Sequence, residues 1–358
     1  MSNTQDLLTI LQCRHPLIQA PMAGVATPRL AAAVSGAGGL GSLGLGASSI
    51  DQARTAILDA RALGAASLHV NVFCHRPARA SALVETAWLA HLKPFFEALG
   101  APLPEALSAP YGSFAEQSEL LDLLCALRPT VVSFHFGLPT RSALASLRSA
   151  GIATLDCVTT LDEARQAQAL GVDALIAQGA EAGGHRGCFD PADDTLLGTF
   201  VLLRQLVGAV NLPIVAAGGI MDGAGIAAAM RLGAAAVQMG TAFLLCPESA
   251  ADAAYRAALR SPAAYRTSIT DAISGRPARG LENRMHREIG TRSAPTRPDY
   301  PIAYSAGKAL AAAAALRGEA GFAAHWAGQG APLAREMPAA RLVETLLNEW
   351  RSAERVAA

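Results

Sequence analysis

The sequence predicts an α/β protein, a (β/α)8 TIM barrel with a small α+β subdomain inserted near its C-terminal end, and three observations carry that prediction. Eight short apolar runs, often rich in Val and Ile, alternate with longer Ala/Leu/Arg segments of helical period over the first two thirds of the chain. The runs are apolar at nearly every position, as expected of strands in a parallel sheet covered by helices, and eight such units suit a closed barrel better than an open doubly wound sheet. The 358 residues exceed the roughly 250 that a barrel needs, so part of the chain lies outside it.

The predicted strands cover residues 16–20, 39–43, 68–73, 130–134, 152–157, 173–177, 213–217 and 235–239. The predicted helices cover 28–35, 49–63, 79–99, 116–127, 140–150, 161–170, 195–210 and 223–232. Asp51 and Asp162 fall in first helical turns, and Gly64, Gly151, Gly171 and Gly233 fall just past last turns, where a left-handed residue ends a helix. Residues 1–246 are thereby assigned to the barrel. Residues 247–304, Arg- and Pro-rich without clean alternation, form the inserted subdomain, with short mixed segments at 265–269 and 284–288. Residues 305–358 return to helix, Ala-rich over 305–317 and amphipathic over 342–350, packing back on the barrel. The spacing Gly36-x-Gly38-x-x-Gly41 follows a helix and precedes a strand, the reverse of a dinucleotide fingerprint, and is read as a turn.

Lys+Arg and Asp+Glu are equal at 29 each and form no basic block, so the electrostatic term that nucleic-acid or polybasic membrane binding requires is missing. No apolar run approaches the ~18 residues of a membrane span, and the N-terminus lacks a basic region and a small-residue cleavage site. A cytoplasmic protein acting on small molecules, as monomer or homodimer, is expected. Cys13, Cys74, Cys125, Cys157, Cys188 and Cys246 include no CxxC pair and no His at zinc-ligand spacing, so no metal site is expected.

In a barrel, chemistry belongs to the loops at the C-terminal ends of the strands. The first strand runs into Pro21-Met22-Ala23-Gly24, the third ends with Asn71, the fourth runs into His135-Phe136-Gly137, and the sixth into Gln178-Gly179-Ala180-Glu181-Ala182-Gly183-Gly184-His185. The seventh ends in Ala217-Gly218-Gly219-Ile220 and the eighth in Gln238-Met239-Gly240-Thr241. Glycines after the last two strands let backbone N–H groups approach a phosphate, carried by a substrate or by a cofactor such as FMN. Tight turns alone are the other reading. Asn71, Gln178 and Gln238 offer uncharged amides of the kind an isoalloxazine edge requires. A Schiff-base mechanism lacks its strand-end lysine, because the two lysines are Lys93 within a helix and Lys308 beyond the eighth strand. No GxSxG occurs, and Ser133 is expected to face away from His135, so serine hydrolysis is disfavoured.

These residues together resemble the nitronate monooxygenases, formerly called 2-nitropropane dioxygenases, of class I. The matching segments are Gln19-Ala-Pro-Met-Ala-Gly24, Val132-Ser-Phe-His-Phe-Gly-Leu-Pro139, Ala180-Glu-Ala-Gly-Gly-His-Arg-Gly187, Ala216-Ala-Gly-Gly-Ile220, Gln238-Met-Gly-Thr241 and Asp299-Tyr-Pro-Ile-Ala-Tyr-Ser-Ala-Gly-Lys308. The resemblance implies FMN-dependent oxidation of alkyl nitronates, such as propionate 3-nitronate, by O2 to a carbonyl compound and nitrite, one electron passing from nitronate to flavin. It implies that Met22, Gly24, Asn71, Gln178, Gly183, Gly218, Gly219, Gln238, Gly240 and Thr241 hold FMN. It places His185 over the flavin as the catalytic, substrate-orienting residue and candidate base, with His135, Tyr111, Tyr300, Tyr304 and Lys308 lining the pocket.

From the residues alone, a histidine in a glycine loop at the active end suits a functional role, whereas His135 reads equally as a structural histidine at a strand end. Tyr300, Tyr304 and Lys308 share a helical face at i, i+4 and i+8, which also suits packing, and Tyr111 lies in a Pro-rich loop over 101–113. His15, His69, His75, His91, His286 and His325 receive no role. An anionic substrate giving up an electron calls for positive or proton-donating groups, for which His185 and Lys308 are the candidates. Two alternatives remain: an FMN-dependent NAD(P)H reductase of enoyl-acyl-carrier-protein or quinone type on the same barrel, and a flavin-free phosphate-binding lyase or isomerase.

Overall fold

The computed structural model describes residues 3–356. Its elements in chain order are α1 (Asn3–Leu11), β1 (Leu17–Gln19), α2 (Pro28–Gly36), β2 (Gly41–Gly44), α3 (Ile50–Ala62), β3 (Leu68–Phe73), α4 (Ala82–Ala98), α5 (Ser118–Leu127), β4 (Val131–His135), α6 (Arg141–Ser149), β5 (Ala153–Val158) and α7 (Leu161–Leu170). They continue with β6 (Ala174–Gln178), β7 (Gly184–His185), α8 (Thr199–Leu206), β8 (Ile214–Ala217), α9 (Gly223–Arg231), β9 (Ala236–Met239), α10 (Ala253–Leu259), β10 (Thr267–Thr270), β11 (Ala278–Leu281), α11 (Ile302–Ala315) and α12 (Ala339–Val356). The predicted strands form one eight-stranded sheet in the order β1-β9-β8-β6-β5-β4-β3-β2, every neighbouring pair parallel. Leu40, just before β2, bridges Ile18 of β1, and hydrogen bonds from Gln19 N to Leu40 O (3.0 Å) and Leu40 N to Leu17 O (2.9 Å) close the sheet into a barrel.

Local chemistry sets the element ends. Thr27, Ser49, Ser81, Thr140, Thr160 and Asp222 each accept a backbone N–H at the start of α2, α3, α4, α6, α7 and α9. The glycine spacing at 36–41 is indeed a turn, and Gly41 is required because a Cβ there would lie 2.0 Å from Ala31 O of α2. Helix α8 is shorter than the predicted 195–210. The Glu181 carboxylate accepts Thr199 N at 2.8 Å and fixes its start, and the chain turns extended at Val207.

Period-two alternation puts Ile18, Val131, Leu155, Ala174, Val215 and Ala236 into one buried cluster in the barrel interior, joined from below by Leu7 and Leu11 of α1, both fully buried. Helix α1, outside the predicted elements, thus plugs one mouth of the barrel. Ser133 and His135, two apart in β4, share the same face and line the same cavity, which corrects the expectation that they face apart. Above the plug lies a polar layer in which His69 bridges Ser42 Oγ (Nδ1, 2.8 Å) and Ser133 Oγ (Nε2, 2.6 Å).

Burial lowers the His69 pKa to about 3. The unfolded imidazole titrates near pH 6.5, so this contribution to stability is complete above that pH and is lost as pH falls, by up to about 1.4 kcal/mol per pH unit. Urea midpoints should therefore drop between pH 7 and pH 4, and His69→Gln should drop less steeply; equal slopes would show that His69 is not held neutral.

Outside the barrel, β10, β11 and β7 form a second, antiparallel sheet in which Ala278 of β11 pairs with His185. Helix α11 packs on α4, and α12 on α2 and α9. Among the described residues, no helix is long and apolar enough to cross a membrane.

Candidate active site

The C-terminal strand ends open into a cavity of about 560 Å3. Each site residue singled out from the sequence lines it: Met22, Gly24, Asn71, His135, Gln178, Gly183, Gly218, Gly219, Gln238, Gly240 and Thr241 at or just after the barrel strand ends, His185 in β7, Tyr111 and Tyr300 in loops, and Tyr304 and Lys308 in helix α11.

At one end the chain is nearly all glycine. Gly218 and Gly219 take φ of 125° and 71°, conformations that leave their backbone open to a ligand and disfavour side chains. Thr241 begins a short 3-10 turn after Gly240, and its Oγ1 accepts Gly328 N at 2.9 Å. Gly328 and Gly330 complete this wall, and a Cβ on Gly183 would lie 2.5 Å from Gly328 N. The α8 N-terminus is already occupied by Glu181, so the Gly218-Gly219 and Gly240-Thr241 backbones remain for an anion.

The amides in the middle divide their hydrogen-bonding capacity. Asn71 Nδ2 donates to Ser133 Oγ (2.8 Å) and Ser133 O (3.2 Å), which leaves its carbonyl as the group for a ligand. Gln178 Oε1 accepts from Arg186 (3.1 Å) and Gly187 N (2.8 Å), while Nε2 donates to His185 O (3.0 Å). Gln178 therefore also clasps the loop carrying His185. The Gln238 Oε1 atom is buried without a partner among the described residues, an acceptor that a ring N–H would satisfy.

The other end is aromatic and cationic. His185 has ring centroids of Trp326 at 5.3 Å, Tyr300 at 5.5 Å, Phe136 at 5.6 Å and Tyr304 at 6.2 Å around it. Tyr111 and Tyr300 hydroxyls share a 2.9 Å hydrogen bond, and the Lys308 ammonium lies 4.7 Å from the Tyr304 ring centroid and 5.7 Å from that of Tyr111. Burial, then the neighbouring His135 and Arg276, lower the His185 pKa to about 3. His185 is thus held as a neutral imidazole able to accept a proton, and Lys308 rather than His185 is the cation of this end. His135 Nε2 donates to His185 O at 3.2 Å, and burial lowers its pKa to about 4.

Several contributors were not found from sequence. Phe136 holds a φ of 73°, which costs a bulky side chain on the order of 1–3 kcal/mol, and Arg276 from the β10–β11 turn lies 4.5 Å from its ring centroid. Arg276 donates to the Cys188 and Phe189 carbonyls of the His185 loop. His75, given no role, meets the Tyr300 ring edge-on at 5.0 Å. The glycines of Trp326-Ala-Gly-Gln-Gly330 were the available signal for the far wall.

The model of the nitronate monooxygenase family matches residues 4–349 of the chain. The nitronate monooxygenase of Pseudomonas aeruginosa is 53% identical over 97% of this chain and 99% of that protein, and the one of Paraburkholderia phytofirmans is 55% identical over 96% and 94%. Among solved structures, a nitroalkane oxidase from Streptomyces ansochromogenes is 41% identical with a TM-score of 0.89, covering 98% of this chain and 99% of that one. FabK from Thermotoga maritima, 29% identical, has a TM-score of 0.75 and covers 98% and 97%. With the barrel, the glycine wall and the His185 cluster on one cavity, the chain belongs to the nitronate monooxygenase family of flavin-dependent oxidoreductases.

Proposed function

We propose that the cavity binds FMN noncovalently and that the enzyme oxidises alkyl nitronates with O2 to a carbonyl compound and nitrite. The observation that carries this reading is one cavity with a glycine-walled end fit for a phosphate and a His185/Tyr/Lys308 end fit for a small organic anion. Gly218, Gly219, Gly240 and Thr241 hold the phosphate, and Asn71, Gln178 and Gln238 face the ring edge, with Met22, Gly24 and Gly183 closing around it. The bound flavin supplies a one-electron acceptor that a nitronate anion can reduce. The protein's part is to hold that anion, enclose it with the Phe136, Tyr300 and Trp326 rings, and take up a proton from solvent at His185 as the anion binds, setting a positive charge beside it. The six cysteines are all free, as suits a reducing cytoplasm.

The purified protein should be yellow and release FMN, not FAD, on denaturation, and anaerobic propionate 3-nitronate should bleach it. Rapid anaerobic bleaching by NADH or NADPH without bleaching by nitronate would favour a reductase; a protein that stays colourless with added FMN would end both readings.

Lys308 has no carboxylate partner among the described residues, and its ammonium rests on the Tyr304 and Tyr111 rings. A second negative group on the substrate, a carboxylate beside the nitronate, is what it would meet. Lys308→Met should raise KM for propionate 3-nitronate by about tenfold, the scale of one charged hydrogen bond, and leave ethylnitronate nearly unchanged. Equal losses on the two substrates, read by oxygen consumption, would remove Lys308 from carboxylate recognition.

A further inference from the structure

Ser274 is fully buried in the turn between β10 and β11 and is absent from the cavity wall, yet its hydroxyl lies 2.8 Å from His185 Nε2. A serine hydroxyl has one proton to give and two lone pairs to share. Its other neighbours are Arg276 O at 3.1 Å, which can only accept, and Arg276 N at 3.3 Å, which can only donate. One arrangement satisfies all three contacts: the hydroxyl donates to Arg276 O and accepts from Arg276 N and from His185 Nε2–H. In the opposite arrangement the hydroxyl donates to Nε2 and no longer satisfies Arg276 O, a buried-carbonyl loss on the order of 1–3 kcal/mol.

We propose that Ser274 is a positioning residue that fixes His185 as the Nε2–H tautomer and leaves Nδ1 as the nitrogen that takes a proton when an anionic substrate binds. The backbone supports the assignment. Strand β11 pairs Ala278 with His185, and Arg186 N donates to Pro277 O at 2.9 Å, so the turn bearing Ser274 is tied to the loop bearing the histidine. Gly275, at φ of 86°, takes the left-handed conformation this turn needs beside Ser274, whose hydroxyl meets the ring edge at Nε2. His185 Nδ1 has no hydrogen-bond partner among the described residues and is not sealed in the protein interior. The groups around the ring, Phe136, Tyr300, Tyr304, Trp326, His135 and Arg276, include no carboxylate that would favour the other tautomer.

This inference rests on the proposed role of His185 but is tested without substrate. A long-range 1H–15N correlation spectrum of the yellow holoenzyme carrying 15N-histidine, with His185 assigned by its loss in His185→Asn, reports which ring nitrogen bears the proton. The wild type should show Nε2 protonated and Nδ1 bare. Ser274→Ala should shift the ring toward the Nδ1–H form and lower kcat/KM about tenfold with flavin content unchanged. A wild-type Nδ1–H pattern, or an unchanged pattern in Ser274→Ala, would overturn the assignment. Because the spectrum needs no turnover, a failure of nitronate oxidation would leave this result standing and be recognised separately.

Discussion

The Gly219→Asp protein is expected to purify colourless. Residue 219 takes a φ of 71°, a conformation that Asp tolerates better than most side chains, so backbone strain alone does not remove the cofactor. The new Cβ would lie 3.3 Å from Glu181 Cβ, a contact that a small shift of that side chain relieves, and it would put a carboxylate on the Gly218-Gly219 backbone proposed to hold the phosphate. Like charges at about 4 Å repel by about 4 kcal/mol at an effective dielectric of about 20, which is about a thousandfold in Kd for FMN. Gly219→Asn separates the causes, since it has nearly the same size and the same tolerance of positive φ but no charge. Flavin titration should give a modest loss for Asn and near-complete loss for Asp. A Gly219→Asp protein with full flavin content would move the phosphate elsewhere in the cavity.

The barrel was legible because apolar alternation is local, and so were the strand-end residues. Gly218-Gly219, Gly240-Thr241 and His185 follow directly from counting strands. Parity was misread at one strand, because residues two apart in β4 share a face and Ser133 joins His69 and Asn71. What stayed hidden depended on contacts distant in sequence. Leu7 and Leu11 reveal a plug only once there is a barrel mouth to fill. Strand β7 is two residues long and exists because β11 lies beside it. Ser274, Arg276, Trp326 and Gly328 reach the site from a region with no periodic pattern, and nothing in their spacing points toward His185. The neutral state of His185 was equally invisible, because it arises from burial, then from His135 and from Arg276, the latter 91 positions along the chain and adjacent in space.

His185→Asn should lower kcat/KM for nitronates by a factor on the order of 100 while FMN stays bound. Burial keeps the imidazole neutral, so the variant loses no standing charge. The difference appears when an anion enters. A negative group within a few ångströms raises the pKa of a neighbouring histidine, and His185 can then take a proton on the nitrogen that Ser274 leaves free, converting itself into a charged donor where negative charge accumulates. Asparagine keeps a donor of similar reach and cannot make that change. The expected signature is a drop mainly in kcat, with the surrounding Tyr300, Phe136 and Trp326 rings still enclosing substrate and KM little altered. Lys308→Met should show the reverse pattern, confined to carboxylate-bearing substrates, so the two variants read different parts of one cavity. Oxygen uptake across a range of nitronate concentrations decides the matter: an unchanged kcat in a flavin-replete His185→Asn enzyme would remove His185 from the chemistry and leave it a packing residue of the cavity wall.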